Sequence, residues 1–106
     1  VDVMSMTKTE MVANLKEMLE DTQGAVQNES IWADGSFGEE KKMHELNRRG
    51  LEIRVENLEL IIKVLEGKDT ILAEHFEDAI CAVLYEEELA ETEYVEMLTE
   101  LKEQYC

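Results

Sequence analysis

The chain has 106 residues, 44% hydrophobic and 34% charged, with no proline and five glycines; that length holds one domain, residues 1–106, and that composition belongs to helices joined by short turns rather than to sheet. Asp and Glu number 26 against ten Lys and Arg, a formal charge of −16, so the surface field repels nucleic-acid phosphates and anionic lipid and attracts a basic protein or a divalent cation. The N-terminus lacks the basic segment and apolar run of a signal peptide, no stretch reaches the length of a membrane span, and Cys81 and Cys106 have neither metal nor disulfide spacing; the expectation is a cytoplasmic protein with free thiols, no membrane contact and no direct nucleic-acid contact.

Thr7 and Glu10 have the spacing of a capping box, in which the hydroxyl accepts from a backbone N–H and the carboxylate reaches back to the cap. Val12, Leu15, Leu19 and Val26 follow at helical spacing with Met11 and Met18 beside them, while Glu10, Glu17 and Asp21 lie off that stripe, predicting a first helix over 7–27 that buries one face. Over 28–36 the periodicity stops and Asp34-Gly35 marks a turn, so this segment is expected to be the one real loop. Ser36 and Glu39 repeat the capping-box spacing and Gly67 stands as a stop signal, which predicts a second helix over 37–66.

That second helix carries too much apolar surface for one neighbour. Phe37, His44, Leu51, Val55, Leu58, Ile62 and Leu65 form one seam, and Leu46, Ile53, Leu60 and Val64 form another, displaced around the axis, with Ile61 between them. It is expected to lie at the centre of a bundle and also to contribute to a homodimer, with Leu60 and Val64 as contacts. Asp69 or Thr70 opens a third helix over 70–104 whose seam runs Leu72, Phe76, Ala79, Ile80, Val83, Ala90, Tyr94, Leu98, Leu101 and Tyr105. The phase is continuous, but Glu87 interrupts the seam inside an acidic run, so a break near 88–92 giving four helices is the alternative. Ile71, Tyr85 and Leu89 make a second patch opposite the seam, placing Tyr85 and Leu89 among the expected dimer contacts. The fold class is therefore all-α, an antiparallel bundle of three long helices, or four, with coiled-coil-like packing.

Candidate chemistry is thin. Glu56/Glu59, Glu74/Glu77 and Glu93/Glu96 have the one-turn spacing that chelates Mg²⁺ or Mn²⁺, yet six Glu-x-x-Glu pairs occur where chance in so acidic a chain gives about four. His44 and His75 have no nucleophile near them in sequence, and Cys81 sits among Ile80, Ala82 and Val83, the setting of a small hydrophobe rather than of a thiolate. Ile31, Trp32 and Phe37 in the expected loop form either a lid on the bundle end, the ordinary reading, or an anchor for a partner. Glu86, Glu93, Glu96, Glu100 and Glu103 recur on one side of the third helix. These features favour a non-catalytic acidic interaction module, an adaptor, regulator or inhibitor, that offers this row and Trp32 to a basic protein partner and in its extreme form imitates nucleic acid as phage-type inhibitors do. No cofactor is expected. The alternative is a divalent-metal-dependent phosphohydrolase with a carboxylate-lined site in the bundle, for which Mg²⁺ or Mn²⁺ would be required.

Overall fold

The structure, a computed structural model, describes residues 7–67, 73–90 and 94–105, and within the last two segments the side chains of 75–86 and 94–103. Four helices follow one another: α1 (Lys8–Asp34), α2 (Gly38–Leu65), α3 (Ala73–Ala90) and α4 (Tyr94–Tyr105). The described residues contain no strand, and the architecture is the all-α bundle the composition predicts.

α1 starts as its sequence dictates. Thr7 Oγ1 accepts from the Glu10 N–H at 3.2 Å, and the Glu10 carboxylate accepts from the Thr7 N–H at 3.4 Å. Its end does not match the expected stop at 27, because α1 runs on through most of the anticipated 28–36 loop to Asp34. The core-facing phase in fact continues, through Thr22, Glu29 and buried Ala33, and the stripe only looks broken because Glu29 stands where an apolar residue would be read. Within 2.6 Å of the Glu29 carboxylate lies His44 Nδ1 of α2. The carboxylate that interrupts one seam and the histidine that interrupts the other are partners across the hairpin.

The turn shrinks to Gly35–Phe37. Ser36 does not build a second capping box: its hydroxyl donates to the Trp32 carbonyl at 2.7 Å, closing the end of α1, and Phe37 occupies the N-cap of α2 without any side-chain bond. The chain reverses at Gly38, whose φ of 62° only glycine adopts without strain. At the far end Gly67 takes a φ of 73° directly after the C-cap Glu66, the left-handed stop its sequence position predicts.

The final rod is broken, giving the four-helix form. α3 ends at Ala90 and α4 begins at Tyr94, so the seam read as continuous folds back on itself, and Phe76, Ala79, Ile80 and Val83 share one core cluster with Met97, Leu98 and Leu101. Unbroken, 35 residues would make a rod of about 50 Å, longer than the 28-residue α2 by about 10 Å, and its last turns would extend past the hairpin it must cover. The same cluster takes Met11, Leu15 and Met18 from α1 and Leu58, Ile61, Ile62 and Leu65 from α2. Leu60 and Val64, expected as dimer contacts, are partly buried against this core.

All of that core lies at one end of the hairpin. α2 has 28 residues and α3 has 18, so α2 is longer by about 15 Å at 1.5 Å per residue. Residues 25–34 and 38–50, the turn end of the hairpin, contribute nothing to that cluster and form a two-helix arm. The molecule measures 54 × 28 × 19 Å with a radius of gyration of 15.4 Å, against about 13 Å for a compact domain of this length.

Candidate functional site

Three cross-helix ties fix the register of the framework. Lys16 Nζ meets Glu66 Oε2 at 2.9 Å, Arg54 Nε donates to Thr22 Oγ1 at 3.3 Å, and His44 meets Glu29 at 2.6 Å; together they set α1 and α2 antiparallel along the whole hairpin. Arg54 also reaches the third helix, because its Nη1 donates to Glu86 Oε2 at 2.8 Å. Thr22, buried, completes the junction by donating its hydroxyl to the Met18 carbonyl at 2.8 Å. A guanidinium suits this position since its planar fork serves two acceptors at once. Glu86, expected in the partner-binding row, is thus exposed yet engaged in holding α3 onto the hairpin.

The remaining acids of that row divide. Glu93 lies outside the described residues. Glu96 and Glu103 are exposed on α4, Glu100 is half-buried, and with Val95 and Thr99 the three line one shallow groove along the helix. They span seven residues, about 10 Å of axis, or one carboxylate per ~5 Å. A nucleic-acid strand presents one phosphate per ~3.4 Å, so α4 alone is too sparse to copy it. Glu103 stands in the last turn of α4 beside Lys102, where the helix dipole disfavours an anion by about 0.3–1 kcal/mol.

Charge is unevenly distributed. Residues 73–105 hold eleven acids against the single Lys102, whereas residues 38–54 hold five bases, Lys41, Lys42, Arg48, Arg49 and Arg54, against four acids. Glu52 binds into this basic stretch, 3.3 Å from Arg48 Nε and 3.9 Å from Arg49 Nη1. Along the sequence, therefore, the acids concentrate in the last third and the bases in the first part of α2.

Among the described residues the exposed large apolar side chains gather around the arm: Ile31, Trp32, Met43 and Leu46 lie in it, Phe37 in its turn and Ile53 just past its end, and Phe37 is 88% exposed. Ile31 and Phe37 therefore do not form a lid. The Trp32 ring is tilted against that of His44 at a centroid separation of 5.7 Å, which steadies the indole while leaving half of it in solvent. Tyr85 is exposed on α3, and the side chain of Leu89 is outside those described.

The residues that would serve an enzyme are dispersed. Glu56 is exposed and Glu59 half-buried; with Glu52 they line a groove between α1 and α2, but all three carboxylates come from α2. Among the described residues no three His, Cys, Asp or Glu side chains come close enough together to hold a metal ion. His75 and Glu77 are exposed on α3, and Cys81 is a half-buried free thiol. No described helix is long and apolar enough to cross a membrane. No protein-family model, curated protein or solved structure matches the chain. Its functional reading therefore rests on these surfaces.

Proposed function

We propose that this protein is a non-catalytic interaction module, a regulator or inhibitor that binds a basic protein partner through the carboxylates of α3 and α4 and acts as a homodimer. The observation that carries the reading is the segregation of charge along the sequence: eleven acids and one base over residues 73–105, against five of the ten bases over residues 38–54. Acids that served only solubility would not need to be sorted along the chain. Glu103 adds to this, since it occupies a helix end that disfavours it. A field of one sign on one end steers a basic partner into a single orientation and raises its association rate. Nucleic-acid mimicry would require the α3 acids to supplement the sparse row on α4. The phosphohydrolase alternative needs carboxylates converging from two helices, and no placement of the described acids favours it.

The test uses labelled poly-L-lysine as the basic probe at about 0.1 M salt. Replacing Glu96, Glu100 and Glu103 by Gln should weaken binding several-fold more than the charge-matched set Glu17→Gln, Glu20→Gln and Asp21→Asn on the exposed face of α1. Equal weakening by the two sets would mean that net charge alone attracts the probe, and would refute a dedicated acidic face.

A further inference from the structure

We draw no further inference here: the strongest candidate, the exposed apolar ridge of Met43, Leu46 and Ile53 on α2, carries nothing because nothing in the structure shows what covers it.

Discussion

Replacing Glu86 by Gln separates two opposite expectations. In a chain with 26 acids and ten bases, removing an exposed carboxylate ordinarily relieves repulsion and stabilises slightly. Glu86 should behave the other way, because Arg54 donates to it at 2.8 Å and the Arg54 side chain is only 13% exposed. A hydrogen bond to a charged group contributes about 1.5–3 kcal/mol, and the 47% exposure of Glu86 discounts this through solvent screening to about 1 kcal/mol. At roughly 4–8 °C per kcal/mol for a domain near this size, Glu86→Gln should lower the melting temperature by about that much. Arg54→Met, which keeps the aliphatic stem but also loses the bond to Thr22, should cost about 2 kcal/mol. The double variant should cost about 1 kcal/mol less than the sum of the singles. Urea unfolding of all four forms, followed by circular dichroism, measures the cycle, with Glu103→Gln as the exposed control. A coupling below about 0.3 kcal/mol, or a melting temperature that rises for Glu86→Gln as for the control, would refute the view that this junction fastens α3 to the hairpin.

Glu29→Ala or His44→Ala alone should cost about 1–3 kcal/mol by leaving its partner without a hydrogen bond, while Glu29→Leu with His44→Leu should be close to neutral; hydrogen exchange of the arm amides reads both. Leu58→Glu introduces a charge at a fully buried core position and should abolish the cooperative helical unfolding transition, since its cost of several kcal/mol is comparable to the whole stability of a small domain. Gly67→Ala forces an L side chain onto a φ of 73° and should lower stability by about 1–2 kcal/mol in the same urea titration.

How far the sequence could be read depended on whether a signal was local. Helix starts and stops made by a few adjacent residues were legible: the Thr7/Glu10 box and the Gly67 stop both occur as read. The false loop over 28–36 came from scoring Glu29 as a break in the apolar stripe. Its partner His44 is fifteen residues away, and no local pattern indicates that a carboxylate and an imidazole will neutralise each other's polarity across a hairpin. The second capping box failed for a related reason, since the Ser36 hydroxyl had a backbone acceptor behind it, the Trp32 carbonyl, as well as a donor ahead. For the surface, the sequence identified an acidic row but could not separate Glu86, which holds two helices together, from Glu96, Glu100 and Glu103, which line a groove.

Composition and period alone determined that the chain is all-α, that α2 needs neighbours on more than one face, and that acids crowd the C-terminal third, because these are properties of residue types and of a 3.6-residue repeat. Tertiary structure decided which part of α2 the core covers, leaving Met43 and Leu46 exposed while burying Leu58, Ile61 and Leu65 farther along the same helix. An apolar residue on a ridge reads the same in sequence whether or not a neighbouring helix is long enough to reach it.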